Sequence, residues 1–411
     1  MKNESKRELE LYLHIPFCVR KCYYCDFLSM PAEETLRRHY VDMLLEEIKC
    51  KSKACSGYLV SSVFFGGGTP SLLPGVQIKE LMDALRQNFC IREDAEITVE
   101  CNPGTLTRQK LIFYKAAGIN RLSLGLQSAS NRELQRIGRI HTFQDFLVSF
   151  DLARKIGFTN INVDVISALP NQTLQDWEYT LKRVLETRPE HISAYSLIVE
   201  PGTPFYEQYG EDELCREQGV EPKDLPNEKT ERQMYQMTQE LLGQKGYRRY
   251  EISNYALPGR ACRHNIGYWQ MVPYLGLGLG SSSFLENIRF SNTTGLSGYL
   301  KGNFGDLEKI LNKSPSESLS FSQGNQEQSL CFLNKKQQME EFMFLGLRMT
   351  DGVLRSAFEE RFGLELESIY GNVLKKLQRQ GLLGRQEGRI FLTETGISVS
   401  NYALSEFLLE E

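Results

Sequence analysis

Cys18, Cys22 and Cys25 lie within eight positions of one another, in the stretch CVRKCYYC. Three thiols at this density ask for a shared partner, and their number narrows the choice. A structural zinc ion takes four ligands and a disulfide takes two. Three thiolates suit three corners of a 4Fe-4S cube, whose fourth iron is then free for a ligand from outside the protein. The competing reading is zinc, with His14 or Asp26 as fourth ligand. Against it, His14 stands in LYLHIPF, whose alternation reads as a strand, and bulky Tyr23 and Tyr24 separate two of the thiols. The other seven cysteines are scattered along the chain and read mostly as small buried hydrophobes.

A second group of residues could hold a small ligand. The run FFGGGTPSLL (64–73) leaves a strand through Gly66, Gly67 and Gly68 into Thr69. Glycines let a backbone approach a ligand closely, and their N–H and C=O groups can bind its ammonium and carboxylate ends. Alone, such a run is more often only a turn. Yet Glu100 follows Val99, Gln127 follows Leu126, and Asp164 comes late in its strand, so polar residues repeatedly appear where strands run out. The bland reading of Gln127 and Asp164 is a strand-end hydrogen bond, and that of Arg139 a surface salt bridge.

These positions share one face only if the strands are parallel, and the order of elements says that they are. Apolar or β-branched runs at 11–17, 61–68, 96–104, 119–127, 159–170 and 191–199 alternate with amphipathic helical stretches. Such alternation implies βαβ units, as a doubly wound sheet or a partial barrel, with ligands at the carboxyl ends of the strands. Residues 312–329 are serine-rich and polar and read as an exposed connector. Beyond it, 335–349 and 353–379 read as helices and 381–396 as a hairpin, a winged-helix-like module. The expected division is therefore 1–290, a connector over 291–334, and 335–411. Winged helices often bind DNA, but residues 331–411 hold 10 Lys+Arg against 12 Asp+Glu, which disfavours it.

The whole chain carries a formal net charge of −4, so it offers no basic footprint for nucleic acid or anionic lipid. The opening MKNESKRELE has no apolar run, and no long apolar stretch follows, so neither a secretory signal nor a transmembrane helix is expected. A cytoplasmic protein with reduced thiols is the expectation, one that reaches a membrane only through partners. A dimer is left open.

Taken in order, YLHIPFCVRKCYYC, GGGTP (66–70), ECNPGT (100–105), RLSLGLQS (121–128) and VDVISALPNQT (163–173) resemble the radical S-adenosylmethionine (SAM) superfamily, and within it the oxygen-independent coproporphyrinogen oxidase family. The matches cover most of residues 10–290. The resemblance implies a partial (β/α)6 barrel of the TIM type with a C-terminal winged-helix-like α+β module. It implies that Cys18, Cys22 and Cys25 hold a 4Fe-4S cluster. Tyr12, Gly67 and Glu100 would contact the SAM on its open iron. Tyr24, Gly68, Thr69, Gln127, Arg139 and Asp164 would line the adjoining pocket.

The sequence departs from the oxidase where a further cysteine would follow the cluster loop; that position is Phe27. The first strand also begins too early for the oxidase's long N-terminal arm. The stretch CDF (25–27), the motif His264-Asn265-x-x-Tyr268-Trp269 and FMFLGLRMTDGV (342–353) are similar to the HemW heme-chaperone branch of that family. A neutral imidazole is a common axial ligand of heme iron, and aromatic rings stack on a flat macrocycle. His264 is thus the expected iron ligand, with Cys262 as rival. The resemblance implies a heme chaperone that passes heme to acceptor proteins such as respiratory cytochromes. The alternative is a radical SAM enzyme on a porphyrin-type substrate, by oxidative decarboxylation of coproporphyrinogen III or by radical methylation that opens heme.

Overall fold

A computed structural model describes residues 6–312 and 330–409, together with the backbone of 321–322 and 327–328. Six strands, β1 (Arg7–Ile15), β2 (Tyr58–Gly67), β3 (Ile91–Cys101), β4 (Arg121–Gln127), β5 (Ile161–Ser167) and β6 (His191–Ser196), pair in sequence order, each parallel to the next. A helix covers each crossover, which gives the expected partial (β/α)6 barrel.

Apart from bulges near Ser61 and Leu126 the strands alternate, and the alternation sorts two kinds of core. Leu9, Leu11, Leu13, Val63, Phe65, Val99, Leu122, Leu124 and Val163 are fully or almost fully buried in the main hydrophobic core. The intervening residues form polar layers across the register. Glu10 pairs with Ser62 and Ser62 with Glu96; farther along, Glu100 pairs with Ser123, and Gly125 with Asp164.

The barrel does not close. Past β6 the sheet continues through antiparallel Asn254–Ala256 and Arg248–Arg249. On the β1 side it continues through Tyr274–Leu277, which runs parallel, and then Ser282–Leu285, Ile288–Ser291 and Leu330–Phe332. The short helix Arg263–Trp269 lies in the connection that passes from one flank of the sheet to the other.

The stretch 291–334 is more than a connector. Its described part adds Leu330–Phe332 to the sheet and buries Tyr299, Phe304, Leu307 and Ile310 in the barrel's core. The serine-rich segment itself lies largely outside the described residues. The C-terminal module has its own core, centred on Met343, Phe358, Tyr370, Leu377, Ile390 and Phe407. Its hairpin, Leu383–Gln386 with Arg389–Leu392, follows expectation. The single helix expected over 353–379 is instead two, Arg355–Phe362 and Leu366–Arg379. Gly363 takes a left-handed φ of 67° and donates to Glu359 O at 2.7 Å, which ends the first helix.

Candidate functional site

The cysteine loop is tied down from several sides. Cys18 N donates to Met30 O at 3.0 Å, and Met30 N to Pro16 O at 2.9 Å. His14 Nε2 pairs with Leu28 O at 2.8 Å, and Arg20 donates to Gly138 O at 2.8 Å. The glycine run meets this loop with no room to spare. A Cβ on Gly68 would stand 2.7 Å from Phe17 O, and one on Gly67, whose φ is 110°, 2.6 Å from the His14 ring. This close approach is what the glycines are for.

Gly67 N donates to Glu100 Oε2 at 3.1 Å. Burial, reinforced by Asp164, lifts the Glu100 carboxyl to about 8. Burial also lifts Asp164, although Ser123 donates to it at 2.9 Å and Asn162 at 2.7 Å. Arg139 donates to Gly125 O at 2.7 Å and approaches Cys22 Sγ at 3.7 Å. Thr69 Oγ1 accepts from Asn102 Nδ2 at 2.8 Å and meets Cys18 Sγ at 3.4 Å. Gln127 closes β4 with φ at 73°, an uncommon conformation for a non-glycine residue.

Most of the polar groups around Glu100 and the thiols border one cavity of about 1850 Å³ at the carboxyl ends of the strands. The three thiols, Tyr24, Gly67, Gly68, Thr69, Glu100, Gln127, Arg139 and Asp164 line it, as do Asn265, Tyr268 and Trp269. Its far end reaches Arg348 and Glu394 in the C-terminal module. A pocket for one small ligand is usually about 300–1,000 Å³, so the space accommodates more than one.

Tyr12, expected against SAM, is partly exposed and lies beside the glycine run and Glu100: a Cβ on Gly66 would stand 2.9 Å from its ring and 3.2 Å from Glu100 Oε2. Its ring stacks on Phe64 at 6.2 Å and its hydroxyl meets His14 Nδ1 at 3.2 Å. The expectation for His264 needs correction. Its ring is buried against Phe64 at 5.0 Å, with Nδ1 on Ser62 Oγ at 2.8 Å and Nε2 on Tyr268 OH at 3.0 Å. In this arrangement neither nitrogen is open to an iron in the cavity. Cys262, the rival ligand, is buried and directed at Glu96 at 3.3 Å. Helical spacing explains the difference. His264 turns inward and bonds Tyr268 four residues on, while Asn265, Trp269 and Tyr268 itself border the cavity.

Residues 12–184 match the Radical SAM superfamily and residues 333–399 the HemN C-terminal domain. A protein of Lactococcus lactis named heme chaperone HemW is 35% identical over 400 residues, 97% of each chain. Its Bacillus subtilis namesake is also 35% identical, over 97% of this chain and 99% of its own. The chain belongs to the HemW family. The solved structure of Escherichia coli coproporphyrinogen III oxidase, HemN, described as a radical SAM enzyme, superimposes with a TM-score of 0.79. It is 25% identical, with 98% of this chain and 90% of that one covered.

Within the HemW fold the site suits the groups that a radical SAM domain implies. Among the described residues no three Cys, His, Asp or Glu side chains are gathered tightly enough to hold a single metal ion. The three thiols instead border a common space, as a cube with irons at separate corners requires. Of the two zinc ligands that the sequence offered, His14 is committed to Tyr12 and Leu28, while Asp26 borders the cavity. Two buried carboxylates with raised pKa values lack full counter-charge, which suits a cationic ligand beside Glu100 and Asp164.

Sequence reasoning missed Asn102, which holds Thr69, and the chain of groups behind Asp164. Asn162 Oδ1 meets His191 Nδ1 at 2.6 Å, and His191 Nε2 meets Tyr250 OH at 2.8 Å. Tyr250 OH in turn accepts from Cys262 N at 3.3 Å. The pocket and the motif helix are thus linked through the barrel interior. No described helix is long and apolar enough to cross a membrane.

Proposed function

We propose that this chain is a heme chaperone that binds heme in the large cavity and delivers it to acceptor proteins such as respiratory cytochromes, with a 4Fe-4S cluster on Cys18, Cys22 and Cys25. The reading rests on full-length similarity to proteins named heme chaperone HemW. The observation that carries it is that Asn265 and Trp269 of the motif helix line the same space as the cysteine loop.

The cluster and SAM, when bound, supply a site for one-electron chemistry. The residues of this chain hold and orient. Gly67 and Gly68 let the ligand's ends approach the backbone, Glu100 and Asp164 offer negative charge, and Gln127, Arg139, Tyr24 and Thr69 bound the pocket. Trp269 and Tyr268 give aromatic surface to a flat macrocycle. His264 holds the motif helix on the barrel through Ser62, and braces Tyr268 within the helix.

Phe27, 67% exposed, stands at the cavity where the oxidase is expected to carry a further cysteine, which favours cargo binding over porphyrinogen decarboxylation. Hemin titrated anaerobically into reconstituted protein should give a saturable Soret band, and the loaded protein should transfer heme to an apocytochrome. Absence of saturable binding refutes the reading. So does formation of protoporphyrinogen when the reduced protein is given SAM and coproporphyrinogen.

A further inference from the structure

The cavity's arginines are not equivalent. Arg139 donates to Gly125 O, Arg20 to Gly138 O, and Arg232 pairs with Glu228. Arg348 differs. Its guanidinium lies 4.3 Å from the centroid of the Trp269 ring and borders the cavity. Its side chain is 31% exposed, and it makes no hydrogen bond among the described residues. Its Nη2 stands 4.0 Å from Glu251 Oε2, a long ion pair. Both hydrogen bonds to that carboxylate, from Ser253 N at 2.8 Å and Asn254 Nδ2 at 2.7 Å, go to its other oxygen, Oε1.

The backbone beside Arg348 is fixed. Met349 bridges to Glu251, and Thr350 donates from its N to Tyr250 O at 3.0 Å and from its hydroxyl to Arg249 O at 3.1 Å. One helical turn before Trp269, the Asn265 side chain also borders the cavity without a hydrogen bond among the described residues. Trp269 Nε1 and Arg348 Nε are buried donors without partners. A guanidinium set over an indole, with no hydrogen bond among the described residues and an amide beside it, has the form of a receptor for a planar anion.

We propose that Arg348, stacked on Trp269 and flanked by Asn265, receives a carboxylate of the porphyrin cargo. The inference rests on the heme reading above, because the anionic groups of heme are carboxylates at the rim of a flat ring. It assigns the C-terminal module a direct part in cargo recognition. One carboxylate would be held both by the motif helix of the barrel and by the arginine that follows Lys335–Gly346.

The test compares hemin with its dimethyl ester, on wild-type protein and on Arg348→Gln, Arg348→Lys and Asn265→Ala. Cluster content and thermal unfolding of each variant serve as controls of folding. Arg348→Gln should weaken hemin binding about tenfold or more and leave the ester's affinity unchanged. Arg348→Lys should recover part of the loss, and Asn265→Ala should show the same selectivity with a smaller effect. Equal losses for acid and ester make the arginine merely structural and overturn the proposal. Wild-type binding of hemin without discrimination against the ester overturns the carboxylate receptor alone. Failure of wild type to bind hemin at all removes the cargo assignment and the receptor with it. Loss of SAM affinity in Arg348→Gln, with hemin and ester unaffected, reassigns the fork to an amino-acid carboxylate and likewise overturns it.

Discussion

Replacing Gly68 with Ala isolates the dependence of the cysteine loop on the glycine run. The backbone of Gly68 is outside the left-handed region, so alanine can adopt its conformation and the cost is contact alone. The new Cβ would stand 2.7 Å from Phe17 O, 2.9 Å from Phe17 N and 3.0 Å from Ile15 O. All three are backbone atoms, so no side chain can swing aside. Phe17 cannot recoil either, because its fully buried ring packs edge-on against Tyr40 at 5.1 Å. Overpacking of this kind costs about 1–3 kcal/mol. The displacement falls on the residue next to Cys18. Denaturant unfolding of Gly68→Ala should therefore show that modest loss, while iron and labile sulfide per chain after anaerobic reconstitution fall well below wild type. Gly371→Ala is the control: it lies in the helix Leu366–Arg379 with nothing within 4 Å of its new methyl. It should match wild type in cluster content and gain about 0.5–1 kcal/mol from helix propensity. Full cluster content in Gly68→Ala at unchanged stability would refute the reasoning.

Three further outcomes follow from buried groups. Burial lifts Glu10 from an ordinary 4.5 to about 9, so the native state holds a proton that the unfolded chain releases. Stability from this source is full below pH about 4.5 and is lost as pH rises toward about 9; Glu10→Gln should flatten that decline in denaturation curves taken across the range, and an unchanged slope would refute the assignment. Lys51 Nζ contacts Glu47 Oε1 at 2.7 Å with both side chains almost wholly buried, and Glu47 also accepts from Gly278 N and Tyr299 OH. Lys51→Met strands that carboxylate and should cost about 3–5 kcal/mol by denaturant unfolding, where a cost under about 1 kcal/mol would show the pair to be dispensable. His264→Ala should weaken heme binding by loosening the motif helix but leave the absorption and spin state of the bound fraction unchanged; a spectral change characteristic of a lost imidazole would restore histidine as the iron ligand.

The strands and the cysteine loop were legible because their signals are local. Glu8 to Ile15 alternate without a break, and three thiols in eight positions need no tertiary context. The direction of the alternation was not legible. Charged and hydroxyl residues of β1 to β6 look like ordinary solvent-facing strand positions, yet Glu10, Ser62, Glu96, Ser123 and Asn162 are all buried. A barrel inverts the usual assignment, since its apolar face packs on the outer helices and its polar face fills the middle. The partners of Asp164 were invisible for the same reason: Asn162, His191 and Tyr250 meet only after the sheet has curled.

The motif helix shows how a correct motif can still misplace its key residue. His264, Asn265, Tyr268 and Trp269 lie on neighbouring faces of a single turn, so a modest rotation decides which side chains meet a ligand. Sequence cannot fix that rotation; packing against β2 does, with Glu10 of β1 beside it. A Cβ on Gly267 would stand 2.2 Å from Glu10 Oε1, so the buried Glu10 carboxyl fills the space a larger residue would need. In this packing, His264 falls between Ser62 and Phe64, 3.8 Å from Glu10 Oε2. That approach joins neutral groups, because burial holds His264 down to about 3 and Glu10 up to about 9. What keeps His264 from an iron is that both ring nitrogens are engaged, by Ser62 and by Tyr268. The faces left over carry Asn265 and Trp269 to the cavity, where Arg348 from the other module lies on the indole. The contacts of His264 with Ser62 and Phe64 therefore decide which residues of the motif can touch cargo.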